Sequence, residues 1–221
     1  MLKRFSALVV VLALSGCATS TPPLNTAKTL IVEAIDTLHQ FSLHKELKNY
    51  KQFMDDAAGV VILPEVIKAG WITGAEAGNG VLLARRGTGW SDPTFHTLAA
   101  ASVGLQFGVQ DTAIIMILRN QGALQSILKH QGKIGADIGA TVAFFGVGAE
   151  AATTSNLGAD IVAFAAPNVG VYMGGSLEGS VLVTRRDINE AVYGAGATPN
   201  AVIDGKLKTS IADPLKDALG R

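Results

Sequence analysis

Glycines spaced four residues apart constrain the fold of this chain more than any other feature of its sequence. One pair, at residues 70–74, precedes the apolar run 81–84, and the same arrangement returns one hundred residues later at 170–174 and 181–184. Residues four apart on a strand share a face, and glycines on one face permit close backbone approach, bending or sheet closure. The spacing predicts an α+β fold: a curved, mostly antiparallel, glycine-rich β core (barrel-like or a sandwich) with N-terminal amphipathic helices and short peripheral helices.

Short apolar runs predict where the strands lie. The run 113–118 is apolar on both faces and should therefore be a central strand. Apolar residues also recur at steps of three and four over 26–41 and 43–57, which predicts two helices. Further strands are predicted at 60–63, 135–145, 160–165 and 169–184. Further helices are predicted at 121–130 with Asn120 as its cap, from Asp187 with Glu190 at capping-box spacing, and around Pro214.

The N-terminus has the pattern of a secretory signal. Lys3 and Arg4 precede an apolar run at 5–14 that is too short to span a bilayer. The tetrad that ends at Cys17, Leu-Ser-Gly-Cys, resembles the lipobox of bacterial lipoproteins, in which the cysteine is acylated before cleavage. We therefore expect residues 1–16 to be a lipoprotein signal peptide and Cys17 to be the lipidation site. The alternative is an ordinary signal peptide with a chance cysteine.

The residues after Cys17 indicate a location. Residues 17–26 contain two prolines and form a polar linker between the acylated cysteine and the folded part. Ala18 stands where an aspartate tends to retain bacterial lipoproteins at the inner membrane. We therefore expect a lipid anchor in the outer membrane facing the periplasm, with exposure at the cell surface left open.

Composition excludes several classes of function. Removal of residues 1–16 leaves 16 basic and 18 acidic residues, a formal charge of −2, which argues against a globally basic nucleic-acid binder. A single cysteine excludes an internal disulfide and a zinc site of several thiolates. The four histidines show no metal-binding spacing, and the SxxK and GxGxxA matches lack the motifs that should accompany them. The sequence therefore predicts no enzyme, no cofactor and no metal.

Basic residues offer two candidate membrane contacts. Arg85–Arg86 and Arg185–Arg186 end the two echoed segments, so they form either one basic rim suited to phosphate or two solvated strand ends. Lysines at 45, 48 and 51 lie on one face of the second predicted helix. That region is either a basic helix on an anionic membrane or a packed helix with a solvated lysine face.

Ordered motifs then indicate a family. Seven segments stand in a fixed order along the chain: Ala58–Pro64, Lys68–Gly70, Gly78–Leu82, Trp90–Pro93, Gly104–Gly108, Ser176–Ser180 and Tyr193–Gly194. Through these motifs, residues 30–194 resemble the SYLF domain, a lipid-binding family found in bacterial lipoproteins and in eukaryotic membrane-traffic proteins. We accordingly divide the chain into the SYLF-like domain at 27–194 and a C-terminal extension at 195–221.

The resemblance implies binding of membrane phospholipids, with phosphoinositides as the eukaryotic ligands, and no catalysis. Eukaryotic members also engage actin. Lys68 matches the family pattern, whereas Glu76 stands where members often carry arginine. We therefore predict a membrane-anchored lipoprotein that binds anionic or phosphoinositide-like phospholipid headgroups and does not bind nucleic acid; the sequence indicates no particular protein partner. Its predicted headgroup contacts are Lys68, Arg85, Arg86, Arg185 and Arg186. The alternative is an envelope scaffold or protein-interaction module without a specific lipid.

Overall fold

The computed structural model describes residues 21–70, 73–103, 108–129, 142–146, 159–169 and 180–220. Cys17, the predicted signal peptide and much of the predicted strands 135–145 and 169–184 lie outside these residues. The described part contains six helices and eight strands. The helices are α1 (Pro23–Leu43), α2 (Tyr50–Met54), α3 (Gln121–Lys129), α4 (Arg186–Tyr193), α5 (Pro199–Ile203) and α6 (Asp213–Ala218). The strands are β1 (Gly59–Gly70), β2 (Thr73–Arg86), β3 (Gly89–Trp90), β4 (Thr94–Val103), β5 (Gly108–Leu118), β6 (Val142–Gly146), β7 (Ile161–Val169) and β8 (Val181–Thr184).

The described strands form one curled sheet in the order β6-β7-β5-β1-β2-β4-β8, with β3 paired to the end of β2. Every neighbouring pair is antiparallel except β6 and β7. This arrangement confirms the predicted α+β class with a curved, mostly antiparallel core. The run 113–118 is confirmed as part of a central strand, because β5 pairs with both β1 and β7.

An irregularity in β1 and two glycines in β2 bring the curved strands close together. The register of β1 shifts between Ile62 and Ile67. A Cβ at Gly78 would lie 2.3 Å from the carbonyl oxygen of Glu65, and one at Gly80 would lie 2.2 Å from that of Ile62. Because only glycine permits this approach, these two positions confirm the expectation of close backbone contact.

The glycines at 70 and 74 have a different role from the one predicted. Gly70 ends β1 and pairs with Gly74 on β2. They therefore face each other across a hairpin and do not lie along one strand. The error has a physical cause, because a spacing of four suits both one strand face and a tight reversal of the chain.

Helices cover both faces of the sheet and produce two hydrophobic clusters. On one face α1 buries Leu30, Ile31, Leu38 and Phe41 in a cluster that includes alternate residues of β1, β2 and β5. On the other face α3 buries Leu124 and Ile127, and α5 contributes Ile203. The apolar stripe of α1 belongs to the core, and this favours a packed helix over a helix that lies on a membrane.

Several helix boundaries depart from the predictions. The predicted helix 43–57 is only the short α2, preceded by a turn at 45–49 that leaves Lys45, Lys48 and Lys51 exposed. The cap of α3 is confirmed, since the Asn120 side-chain oxygen accepts a hydrogen bond from Ala123 N at 2.8 Å. The capping box of α4 is wrong: Arg185 is the N-cap residue and no side chain caps that helix.

The C-terminal segment packs into the rest of the fold. Leu215 of α6 is buried in the α1 cluster, and Ile203 of α5 in the α3 cluster. The carboxylate of Asp92 accepts hydrogen bonds from Lys216 Nζ at 2.7 Å and from Thr209 N at 3.3 Å. The Trp-Ser-Asp-Pro turn at 90–93 thus holds the last described helix in place.

Candidate functional site

Arg85 is bound within the fold. Its guanidinium donates to the carbonyl oxygens of Met54 and, at 3.5 Å, of Ala57, just beyond α2. The same group lies 3.9 Å from the ring centroid of Trp90, which is cation–π geometry. Arg85 therefore joins α2 to the β2–β3 hairpin, and its Nε and Nη2 are engaged within the fold.

Arg185 is also bound within the fold. It forms a bidentate pair with Asp187 at 2.9 and 2.7 Å, and its Nη1 donates to Asn79 Oδ1 at 2.9 Å. The hydrogen bond with Asp187 raises the pKa of the arginine, and the bond from Arg185 lowers the pKa of the aspartate. Asp187 thus pairs with the residue before α4, which explains why it does not form the predicted capping box.

Arg86 and Arg186 are exposed. The Arg86 guanidinium lies over the turn after α5, because a Cβ built on Gly205 would lie 1.6 Å from its Nη1. No carboxylate in the described part of the chain pairs with either arginine.

The structure does not bring the two arginine pairs together. Strand β4 lies between β2 and β8. Arg185 N donates to the carbonyl oxygen of Phe95, and Phe95 pairs with Val81. Arg185 is therefore level with Val81, four residues before Arg85, or about 13 Å along the strand. The echoed segments occupy different levels of the sheet and do not form one basic rim.

Lys68 lies toward the other end of the sheet. It pairs in register with Glu76 on β2, so the two side chains share a face. Burial raises the pKa of the Glu76 carboxyl, and the Lys68 charge partly offsets this increase. Glu76, which departs from the family pattern, thus lies beside Lys68, which matches it.

We call the strand ends at 67–70, 73–77, 99–103 and 108–111 the open end of the sheet. Two rows of mostly small or aliphatic residues lie here, on the same face of the sheet as α1. One row is Val109–Ala69–Ala75–Ala101, and the next is Asp111–Ile67–Ala77–Ala99, so this face is apolar except for Asp111 at the β5 end of the second row. Val109 is 71% exposed and Ile67 is 44% exposed. With strands about 4.8 Å apart, this apolar face is about 14 Å wide.

A cleft of about 350 Å³ adjoins the apolar face and contains the start of the described chain. Thr21 lines it together with Ile67 and Ala77. A second hollow of about 490 Å³ shares Glu33 and Glu65 with the cleft and adds Asp36 and Asp111. Burial raises the pKa of Glu33, as do the charges of Glu65 and Asp36. These carboxylates disfavour an anionic headgroup inside the hollow.

The described polar residues do not assemble a reaction centre that we recognise. His96 is buried, its Nε2 lies 2.8 Å from Thr94 Oγ1, and burial lowers its pKa to about 4. Its Nδ1 is buried without a hydrogen-bond partner. Within the described ranges, no three or more His, Cys, Asp or Glu residues are arranged to hold a metal ion. In the same residues, no helix is both long enough and apolar enough to cross a bilayer.

Sequence reasoning missed the open end as a surface. The exposure of Ile67 and Val109 depends on where the helices stop, which periodicity within a strand does not report. The partner of Asp92 was also missed, because Lys216 lies 124 residues away.

Together these features define a half-barrel α+β domain whose polar side chains mainly join its own elements. The family described as "Ysc84: Las17-binding protein actin regulator" matches residues 99–221, more than half of the chain. The chain belongs to this family, which is the SYLF family indicated by the ordered motifs. The match extends through residue 221 and so includes the C-terminal segment.

Curated relatives agree with this assignment. Protein YSC84 of Saccharomyces cerevisiae is 33% identical over 163 residues, which are 72% of this chain and 35% of the yeast protein. LAS seventeen-binding protein 3 of the same yeast is 32% identical over 163 residues, with the same shares. SH3 domain-containing YSC84-like protein 1 of Xenopus laevis is 30% identical over 140 residues, 62% of this chain and 41% of the relative. The chain thus spans well under half the length of these relatives.

Proposed function

We propose that this chain is a non-enzymatic lipoprotein domain, tethered through Cys17 to the outer membrane on its periplasmic side, that binds phospholipid headgroups at that surface. Family membership carries the proposal, because the SYLF resemblance implies membrane-lipid binding. The lipobox-like tetrad supports the tether. A tether raises the local concentration of headgroups, so weak recognition by the domain could suffice.

The contacts of each predicted cation decide the order in which we would test them. Arg85 and Arg185 are bound within the fold, so their substitution should reduce stability first. Lys68 is partly exposed at the open end and is the first candidate for headgroup contact. Lipid contact by Arg86 and Arg186 stays a prediction.

Vesicle co-sedimentation tests the proposal. The mature chain with Cys17→Ser lacks the acyl anchor but keeps every described element. It should sediment with vesicles that contain phosphatidylglycerol, and the electrostatic part of this binding should weaken at high salt because exposed charges are screened. Absence of binding to vesicles of any phospholipid composition would rule the proposal out.

A second candidate function rests on the names of the relatives. The family is described as a Las17-binding actin regulator, so the domain would instead be an interaction module that contacts a protein of the envelope. A pull-down without detergent that recovers one dominant protein, from a chain without lipid affinity, would favour this alternative.

A further inference from the structure

Within the described residues, Ile67 and Val109 are exposed on the apolar face of the open end, and the geometry points to a phospholipid bilayer as the surface that covers them. This inference rests on the proposed function, because it identifies the part of the domain that enters the lipid. Val109 and Ile67 are the two aliphatic side chains that stand above the alanines of this face, and both are exposed. The contact is therefore apolar, with Lys68 on the opposite face of the same strands.

The tether brings lipid to this end of the molecule. Thr21 lies in the cleft beside Ile67 and Ala77, and only residues 18–20 separate it from Cys17. Four steps of at most about 3.6 Å place the Cα of Cys17 within about 14 Å of that of Thr21. Acyl chains on Cys17 would then enter the bilayer beside the apolar face.

The opposite end of the sheet is too far away to share this contact. Arg86 lies thirteen residues along β2 from Thr73, or about 40 Å at the usual rise of a strand. A linker that reaches about 14 Å does not bring that end to the same leaflet while the open end faces lipid. The position of the tether thus favours the apolar face over a basic rim.

A bilayer also suits the face better than a second copy of the chain. Every tethered molecule meets a bilayer within reach of its linker, whereas a second copy must be found by diffusion. Glu33 and Glu65 border the cleft and Asp111 ends the Ile67 row. The first row and Ile67 can enter lipid while these carboxylates, which face the acidic hollow, stay in water. This contact does not require anionic lipid, and salt should not screen it.

A site-specific fluorophore tests the inference. In the mature chain with Cys17→Ser no other cysteine remains, and the buried core residues lie at or beyond Ala27. Val109→Cys carries the environment-sensitive dye NBD, and Leu43→Cys is the matched control. These side chains are 71% and 70% exposed, and Leu43 is at the far end of α1. Vesicles of phosphatidylethanolamine with a minor fraction of phosphatidylglycerol are the probe.

We expect NBD at residue 109 to shift to shorter wavelength and brighten with vesicles, at low and at high salt, while NBD at residue 43 stays unchanged. Ile67→Asp and Val109→Asp should each weaken vesicle binding about tenfold, since burial of an aliphatic side chain is worth about one to two powers of ten in an equilibrium. Circular dichroism melts should show folded variants, because both positions are exposed.

The outcomes separate this inference from the proposed function. If the Cys17→Ser chain sediments with no vesicle, the proposed function fails. If it sediments but the label at 109 remains in water, or both aspartate variants bind normally, the inference alone is overturned. A shift at 109 that grows with protein concentration without vesicles also overturns it, because a second copy then covers the face.

Discussion

We expect Arg85 to stabilise the folded state, and its neighbour Arg86 provides a matched control. Both were predicted to contact lipid headgroups. In the structure Arg85 donates to the carbonyl oxygens of Met54 and Ala57 and stacks on Trp90. Arg86 is exposed and contacts the turn at Gly205. Replacement of each arginine by alanine removes the same charge but breaks internal contacts mainly at position 85.

The magnitude follows from these contacts. A hydrogen bond from a charged donor contributes about 1.5–3 kcal/mol, and the bond to Ala57 adds little at 3.5 Å. A partly exposed cation–π contact contributes about 0.5–1 kcal/mol. The two contributions sum to about 2–4 kcal/mol. Because Arg85 is only part-buried, we expect Arg85→Ala to reduce the free energy of unfolding by the lower part of this range, about 2–3 kcal/mol. For a domain of this size, that lowers Tm by about 5–10 °C.

Thermal unfolding followed by circular dichroism provides the measurement. Arg86→Ala should change the free energy of unfolding by no more than about 0.5 kcal/mol, as is usual for exposed side chains, because Arg86 only lies over the turn at Gly205. If both variants melt at the same temperature, the contacts of Arg85 do not stabilise the fold and our reasoning about it is wrong.

Three further predictions concern buried groups. Lys216→Met should reduce the free energy of unfolding by about 2–3 kcal/mol, because it leaves Asp92, which is 7% exposed, without its cation. The control Lys206→Met removes an exposed ion pair and should cost under about 0.5 kcal/mol. Equal urea midpoints for the two variants would contradict this. Gly80→Ala places a Cβ 2.2 Å from a carbonyl oxygen of β1 and should cost over about 3 kcal/mol, so a wild-type melting curve would refute the close approach. His96 has a folded pKa of about 4, below its unfolded value of about 6.5. The unfolded chain therefore binds the proton first as pH falls, and stability should decrease by about 3 kcal/mol between pH 6.5 and 4. Urea unfolding at several pH values measures this loss, and His96→Gln should reduce it; an unchanged pH profile in the variant would assign the loss to other groups.

Local patterns in the sequence predicted the elements whose signals are local. The apolar stripe of α1 and the Asn120 cap of α3 were both found, because helix periodicity and capping involve residues within a few positions of each other. The continuous apolar run of β5 indicated a central strand for the same reason. The short α5 was missed, although Thr198 and Pro199 form a recognisable helix start.

Long-range contacts decided the candidate site. The two arginine pairs have nearly identical local sequences, yet Arg85 binds the carbonyls after α2 while Arg185 binds Asp187 and Asn79. Strand order placed β4 between them. Local sequence does not encode which distant acceptor a guanidinium binds. The hydrogen-bond partners of the two arginines therefore could not be predicted, and neither could the absence of a shared basic rim.

The sequence by itself determined the family, the curved antiparallel core and the expectation of an anchor at Cys17, because each follows from residue types at short, fixed spacings. Only the tertiary structure decided which surfaces remain available. Ile67 and Val109 are exposed at the open end, while two of the predicted arginine contacts are bound within the fold. Exposure depends on what packs above a residue, and the residues that pack there are distant along the chain.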